Sequence, residues 1–384
     1  MNHRAAMKVY AYGKQSISQD DIDAVLGVLK SDFLTQGPEL RRFEDAICEY
    51  TGSKYCVAVS SATAALHLSM MALGVGQGDE VITTPNTFVA SANCVRYVGG
   101  DVKFADIDPK TANISAEEIE KSITERTRAI IPVHFAGQSC DMEAIHRIAA
   151  EKGIFIVEDA AHAIGSDYKN TKVGSCKYSD ITVFSFHPVK TIATGEGGAL
   201  TTNDKDLYEK LLLFRGHGIV RSQEIAEKHG LWYYEMRDLG FNYRMTELQA
   251  ALGVSQLKKL DQIKEKRRHI VSLYRDLLCD LRIGFLEERN YSNACFHLCP
   301  VLIDFEKLGI NKIKFVRDLF KAGIHSQIHY IPVHLHPYYR NLGLAEGDYP
   351  EVERYYSKTI SLPLYYDLSD DDIHCIVNKF REIM

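Results

Sequence analysis

Hydrophobic positions along the chain follow two alternating periods, and this alternation predicts the order of the elements. Ser18, followed by acidic residues and then by apolar residues at helical spacing, is typical of a capped amphipathic helix that reaches Leu29. A second helix is predicted to end at Gly52. Strands are then predicted over 55–59, 81–83, 129–133, 154–157 and 181–184, and helices over 64–73, 91–97, 142–152 and 205–214. This order predicts an α/β fold with a mostly parallel sheet sandwiched by helices.

The pattern changes in the second half of the chain. Two close strands are predicted around Gly197 and Gly198, and one long charged helix over 246–277. The basic run from Lys264 to Arg268 is expected on the solvated face of that helix. A strand over 294–304 and a helix after Asn311 indicate a smaller α+β unit. We therefore predict a large domain with an N-terminal arm over residues 1–255 and a small C-terminal domain over residues 256–384.

The composition excludes several classes of protein. The 384 residues are 46% hydrophobic and 25% charged, as in ordinary globular proteins. A net charge of -6 supplies no basic surface for nucleic acid or for an anionic membrane. The sequence shows neither a signal peptide nor a run of about 18 apolar residues. Nine scattered cysteines without a CxxC pair fit a reducing compartment, so the cytoplasm is the expected location.

One group of residues resembles a metal site. Cys295, His297 and Cys299 alternate along the predicted 294–304 strand, and no second pair of ligands is near them in the sequence. Ordinary strand residues explain the pattern better than zinc, so no metal is expected.

Segments after the predicted strands carry candidate chemistry, because ligands of open α/β sheets bind beyond the carboxyl ends of strands. Ser60 to Thr63 offers hydroxyls and free backbone N–H groups at a helix start, which suits phosphate, although a plain N-cap is the common alternative. Asp159 follows a buried strand and needs a partner, either a cation in a salt bridge or a pyridinium nitrogen. Phe88 is placed either to stack on a flat ring or simply to fill the core.

Lys190 lies in a loop after an apolar strand, between apolar neighbours and shortly before Gly195. A lysine in such surroundings loses its proton readily and can form a Schiff base, whereas most lysines are solvated surface charges. The glycines from Gly195 to Gly198 do not form a nicotinamide fingerprint, since strands rather than a helix follow them.

Taken together, these segments resemble the DegT/DnrJ/EryC1/StrS family of sugar aminotransferases, which have the pyridoxal-phosphate (PLP) fold of type I. The matching motifs are SATAAL, TPxTF, EDAAHA, SFxxxKxxxxGEGG and GFNYRM, and the resemblance extends from Leu34 to Tyr365. It implies that Lys190 binds PLP as a covalent aldimine and acts in catalysis, and that the catalytic Asp159 pairs with the pyridine nitrogen. By the same resemblance the other cofactor-binding residues are Ala62, Thr63, Phe88, His162, Ser185 and, from the neighbouring protomer, Asn242.

The resemblance also implies a substrate and a partner. The sequences around Lys190 and Thr35 look most like the branch of the pseudaminic acid pathway, which moves an amino group from L-glutamate to C4 of a UDP-linked 4-keto-6-deoxy-N-acetylhexosamine. The residues expected at the sugar are Tyr12, Thr35, Ser61, Ile328, His329, Tyr330 and Ile331. The active sites are expected to be shared in a homodimer, and neither nucleic acid nor a membrane is an expected partner. A related branch that removes oxygen carries histidine in place of the lysine, so Lys190 favours transamination.

Three alternatives remain open from the sequence. The first is the same chemistry on another nucleotide 4-keto sugar, of the GDP-perosamine or UDP-4-amino-arabinose type. The second is a silent PLP-binding regulator, which the joint presence of Lys190 and Asp159 disfavours. The third, a nicotinamide oxidoreductase, fails on the glycine pattern. Arg215, His217 and Arg244 are candidates for binding anionic groups, with surface salt bridges as the other explanation.

Overall fold

The computed structural model of the protein describes residues 8–384. In chain order its strands are β1 Tyr10–Ala11, β2 Tyr55–Val59, β3 Glu80–Thr83, β4 Asp101–Phe104, β5 Thr127–Ile131, β6 Phe155–Asp159, β7 Asp167–Tyr168, β8 Thr171–Lys172, β9 Ile181–Ser185, β10 Gly198–Thr202, β11 Ile219–Val220, β12 Glu235–Met236, β13 Ile283–Phe285, β14 Ser292–Asn293, β15 Cys299–Ile303, β16 Ile324–His325 and β17 Thr359–Leu362.

The α-helices are α1 Gln19–Leu29, α2 Pro38–Thr51, α3 Ala62–Ala72, α4 Ala90–Tyr97, α5 Ala116–Ser122, α6 Met142–Lys152, α7 Lys205–Arg215, α8 Gln223–His229, α9 Glu247–Leu257, α10 Leu260–Leu277, α11 Phe305–Leu308, α12 Lys312–Lys321, α13 Pro337–Arg340, α14 Pro350–Lys358 and α15 Asp370–Ile383. Short 3₁₀ turns occur at Phe135–Gly137 and Val333–Leu335. None of these helices is both long and apolar enough to cross a membrane.

Helix ends follow the signals read from the sequence. The Asp21 carboxylate accepts the backbone N–H of Ser18 at 2.8 Å, which closes the first turn of α1. Gly52 ends α2 with a φ of 78°, a left-handed conformation that favours glycine. The Asn311 side chain accepts the N–H of Lys314 at the start of α12. These local contacts explain why the predicted helices form where they do.

A seven-stranded sheet brings the candidate segments to one edge. Its strand order is β2-β10-β9-β6-β5-β3-β4. Neighbouring strands from β9 to β4 run parallel, while β10 is antiparallel to both β9 and β2. β2 therefore points the same way as β9, so the carboxyl ends of β2, β3, β6 and β9 all lie at the same edge. The mostly parallel sheet predicted from the sequence is confirmed.

Three predicted elements are wrong in detail. Only β10 starts at Gly198, and it pairs with β9 and with the distant β2 rather than with a second nearby strand. The predicted 246–277 helix is divided into α9 and α10, which lets α9 pack on α1 and α2 while α10 packs on α15. The 294–304 strand shrinks to β15, so Cys295 and His297 lie in the irregular segment before it.

The basic run on α10 is also not the solvated face that was expected. Lys264 and Arg267 are 7% and 1% exposed. The Lys264 ammonium pairs with Asp167 at 2.6 Å, and the Arg267 guanidinium donates to the carbonyl oxygens of Phe296, His297 and Leu364. These acceptors come from segments that cover the helix from elsewhere in the chain, and the local charge pattern carries no sign of them.

The C-terminal part forms its own core around a three-stranded sheet of β13, β15 and β17. The N-terminal arm joins it, because β1 pairs in parallel with β16 and Tyr10 packs in the same core. The domain boundary between residues 255 and 256 remains a prediction; α9 ends close to it, at Leu257.

Candidate active site

A cavity of about 730 Å³ opens at the carboxyl edge of the large sheet. Its walls come from the strand ends on one side and from residues 327–336 of the C-terminal part on the other. The site residues predicted from the sequence that line it are Tyr12, Ser61, Ala62, Thr63, Phe88, Asp159, His162, Ser185, Lys190, Ile328, His329, Tyr330 and Ile331. The fold therefore collects residues that are more than 300 positions apart in the chain.

Two predicted residues lie elsewhere. Thr35 and Asn242 are exposed and do not line the cavity of this chain. Asn242 sits opposite Gly216 in an isolated bridge, and Arg244, two residues later, sits opposite Val59 in another. Of the candidate anion-binding residues, Arg215 pairs with Glu44 at 2.6 Å and donates to the carbonyl of Ala58, so the salt-bridge explanation holds for it.

One end of the cavity is built to accept a phosphate. Ser61 is the N-cap of α3, and its hydroxyl accepts the N–H of Ala64 at 3.1 Å. The backbone N–H groups of the first helical turn lack intrahelical partners and attract anions. Gly198 lies directly beneath this turn, where an added Cβ would be 2.5 Å from the nitrogen of Ala62. Close approach of β10 to the helix start thus requires glycine.

The middle of the cavity holds the Asp159 carboxylate at the end of β6. It is 5% exposed, and its two oxygens accept hydrogen bonds from the N–H of Ala161 at 3.0 Å and from the hydroxyl of Ser91 at 2.6 Å. These two donors fix the orientation of the carboxylate in the cavity. Ser91 was not among the residues predicted from the sequence. A signal was available, since Ser91 stands one helical turn after Phe88 at the start of α4.

The Lys190 amine faces the same space from the loop after β9. The residue is half-buried, and part of its surface is open to the cavity. Burial lowers the pKa of Lys190 to about 8, against the opposing effect of the Asp159 charge. A larger share of this amine is therefore neutral near pH 7 than of an ordinary lysine.

Neutral histidines surround this amine. Burial, with smaller effects from Lys190 and His329, lowers the pKa of His162 well below its usual range. Burial likewise lowers the pKa of His329 to about 3, and its ring contacts the Ser361 hydroxyl at 2.9 Å. Tyr12 packs against His329 with ring centroids 5.2 Å apart. His297, which was predicted to be an ordinary strand residue, also lines the cavity. Within residues 8–384 no group of three or more possible ligands is placed to hold a metal ion.

Comparison with known proteins identifies the family of the chain. The sequence profile of the DegT/DnrJ/EryC1/StrS aminotransferase family matches residues 15–381. The chain belongs to this family. It is 38% identical to the UDP-4-amino-4,6-dideoxy-N-acetyl-beta-L-altrosamine transaminase of Campylobacter jejuni, over 97% of both chains. It is also 40% identical to the spore coat polysaccharide biosynthesis protein SpsC of Bacillus subtilis, over 97% of this chain and 96% of that protein.

A solved structure agrees with the family assignment. PseC of Helicobacter pylori, an aminotransferase of pseudaminic acid biosynthesis, superposes with a TM-score of 0.91 and 35% identity, covering 98% of this chain and 99% of that one. The protein is thus a sugar aminotransferase of fold type I that uses PLP, as the family and the known PLP and PMP forms of a relative establish.

The residues present fit PLP. The free N–H groups at the start of α3, with Ser185 beside them, suit its phosphate, and the buried Asp159 carboxylate suits its pyridine nitrogen. Lys190 has the lowered pKa that Schiff-base formation needs, and Phe88 lies at the cavity wall with 60% of its surface exposed.

Proposed function

We propose that this protein transfers an amino group from L-glutamate to C4 of a UDP-linked 4-keto-6-deoxy-N-acetylhexosamine. The main support is that Lys190 and Asp159 line the same cavity. In addition, the chain is similar over nearly its whole length to the H. pylori and C. jejuni enzymes. The large cavity suits a substrate that carries both a sugar and a nucleotide.

In this proposal each residue has a distinct task. PLP, when bound, delocalises the electrons released as the C–H bond of the amino donor breaks. Lys190 holds the cofactor and then, as a free amine, takes the proton from the donor α-carbon with Nζ; in the second half of the cycle it returns a proton to C4 of the sugar. Asp159 keeps the ring nitrogen protonated, and Ser91 and Ala161 hold the Asp159 carboxylate in place. Ala62, Thr63 and Ser185 bind the phosphate.

The proposal includes a homodimer with shared sites. Among the described residues that line the cavity, Lys190 is the one with a lysine or arginine side chain, yet the donor carboxylates and the nucleotide diphosphate are anionic. Asn242 and the neighbouring Arg244 lie outside this chain's cavity and suit the site of a second copy. The nearby segment after α8 exposes Leu231, Trp232, Met236 and Leu239, with 65–89% of their surface accessible, as a buried interface would require.

The alternative is the same transamination of another nucleotide 4-keto sugar, and the similarity to the spore coat protein keeps it open. In that case Lys190, Asp159 and the phosphate site keep their tasks, and the residues at the sugar site contact a different sugar. Tyr12, Ile328 and Ile331 form this part of the wall. The cytoplasmic location expected from the sequence remains a prediction.

The substrate is tested by half-reactions on the purified, PLP-loaded protein. L-glutamate should bleach the visible band of the lysine-bound cofactor, and the UDP-linked 4-keto-6-deoxy-N-acetylhexosamine should restore it with formation of the 4-amino sugar, detected by mass spectrometry. GDP-4-keto-6-deoxymannose and UDP-4-keto-pentose serve as controls. Faster restoration by either control would overturn the sugar assignment and leave the enzyme class intact; no response to L-glutamate would overturn the donor.

A further inference from the structure

His297 belongs to the site but has no task in the scheme above. Its side chain lines the cavity, is 4% exposed, and has an Nδ1 atom without a hydrogen-bond partner. A buried unpaired nitrogen is costly, and a hydrocarbon side chain in its place would avoid that cost. What the residue contributes is therefore to be sought in its contacts.

Two of those contacts are with the peptide of Ala136 and with the ring of His162. The His297 backbone N–H donates to the carbonyl of Ala136 at 2.8 Å, and its ring packs against His162 with centroids 4.4 Å apart. The Ala136 N–H in turn donates to Nδ1 of His162 at 3.3 Å. Ala136 has a φ of 57°, which is unusual for a residue with a side chain, so its peptide orientation depends on such contacts.

The segment that carries His297 is also packed tightly against its neighbours. Gly137 lies so close to the 295–297 segment that an added Cβ would be 2.2 Å from the carbonyl oxygen of Cys295. The His297 carbonyl accepts a bond from the buried guanidinium of Arg267 at 3.3 Å. His297 is thus fixed by its own backbone on both sides, and its ring presents a rigid face to His162.

This arrangement determines which nitrogen of His162 carries the proton. A backbone N–H can only donate, so the Nδ1 atom that accepts from Ala136 is unprotonated, and the proton of the neutral ring is on Nε2. Nε2 lies 3.0 Å from the hydroxyl oxygen of Tyr330 and donates to it. The proton of Tyr330 itself is then free to point at an acceptor in the cavity. Burial raises the pKa of Tyr330, so the hydroxyl keeps that proton.

We propose that His297 is a positioning residue for the transamination: it holds the Ala136 peptide and the His162 ring so that the Tyr330 hydroxyl donates a hydrogen bond to an oxygen of the bound reactants. The inference uses only the aminotransferase activity of the family and is independent of which sugar is the substrate.

The first test is made on the wild-type protein without the cofactor, and a single variant serves only to assign the signal. Long-range ¹H–¹⁵N NMR of ¹⁵N-histidine-labelled, PLP-free protein should show His162, assigned by the signal lost in His162→Gln, as a neutral ring protonated on Nε2 from about pH 5.5 to 8.5. A ring protonated on Nδ1, or one that titrates near its usual pKa, would overturn the proposal.

The second test asks whether His297 acts through Tyr330. His297→Ala removes the flat ring that packs against His162 and should lower kcat by about tenfold. His297→Phe keeps a flat ring there and should retain most of the wild-type kcat. In a Tyr330→Phe background the further loss from His297→Ala should shrink to less than about twofold, because the hydroxyl that it positions is already gone. Cys295→Ala, a small change in the same buried segment, is the matched control and should leave kcat unchanged.

Equal losses from His297→Ala in both backgrounds would refute an action through Tyr330. A His297→Phe variant that is folded, binds PLP and is as slow as His297→Ala would refute positioning by the ring face.

Discussion

Lys190 and Asp159 illustrate, at the scale of single residues, how burial creates reactivity. The protein lowers the pKa of the lysine to about 8 by desolvation, although the neighbouring carboxylate acts in the opposite direction. The Asp159 carboxylate is itself buried, but two hydrogen-bond donors compensate for the loss of water. The lysine is thus made easier to deprotonate, and the buried carboxylate beside it keeps two hydrogen-bond donors.

The lowered pKa of Lys190 predicts the pH dependence of PLP uptake. Only the neutral amine attacks the aldehyde, so the rate of incorporation into PLP-free protein should rise with pH and level off above about pH 8 rather than above about pH 10.4. Stopped-flow absorbance measures this rate, and Lys190→Ala gives the background of other lysines. A rate that still rises tenfold per unit at pH 9 to 10 would contradict the lowered value.

The Asp159→Asn variant is expected to bind PLP but to lose most of its turnover. The amide keeps the shape of the carboxylate but does not keep the pyridine nitrogen protonated, so kcat should fall by at least about 100-fold while PLP remains bound. Cofactor content and kcat are measured on the same preparation. Ser91→Ala, which removes one of the two bonds to the carboxylate, should cause a smaller loss in the same direction. Near-normal turnover of Asp159→Asn would remove Asp159 from the mechanism.

At the scale of elements, the site depends on how closely β10 passes under α3. Gly198 pairs with Ser185 on one side and with Val59 on the other, so it lies in line with two strand ends of the site. The start of α3 packs directly against Gly198, and this contact fixes the position of the free N–H groups that would bind a phosphate.

Gly198→Ala should therefore weaken PLP binding. Its Cβ would meet the backbone at Ser61 and Ala62 at 2.5 Å, and the helix start must shift to accommodate it. We expect about a tenfold or larger rise in the Kd for PLP and a loss of about 1–3 kcal/mol in the free energy of unfolding. Gly284→Ala is the matched control, since its nearest neighbour would be at an ordinary 3.6 Å. Equal PLP affinity in both variants would show that the close approach is unimportant.

At the scale of the whole molecule, the cavity is made by two parts of the chain and, in our proposal, by two copies of it. The sheet edge supplies Lys190 and Asp159, while the segment around Tyr330 closes the opposite wall. Thr35 and Asn242 are left outside the cavity of their own chain. The proposed second protomer would account for both positions and would supply positive charge to the site.

Mixed dimers test the shared site. Lys190→Ala and Asn242→Ala should each be inactive or strongly impaired alone, because each lacks one part of every site. Co-expressed with different affinity tags, they form mixed dimers in which one site has both defects and the other has neither. Random mixing should then restore about a quarter of the wild-type activity. If the mixture is no more active than the average of its parents, Asn242 serves its own chain.

Local signals in the sequence were sufficient for much of this structure. Helix ends such as Gly52 and Asn311 were predictable because caps are contacts between near neighbours. Asp159 at the end of a strand and Lys190 in the loop after another stood out because a charged residue that follows a buried strand requires an explanation. The motifs that contain them indicated the family before any distance was known.

What the sequence did not reveal came from contacts between distant segments. The break between α9 and α10, the burial of Arg267 and the pairing of β10 with β2 depend on partners that no local pattern contains. His297 was taken for a strand residue because its neighbours alternate in polarity. The sequence by itself determined most of the order of elements and named the main candidates for the chemistry, since these follow from nearest-neighbour preferences and polarity. Only the tertiary structure decided which side chains meet, which of them are desolvated and hence which protons they hold, because burial and pairing are properties of the packed chain.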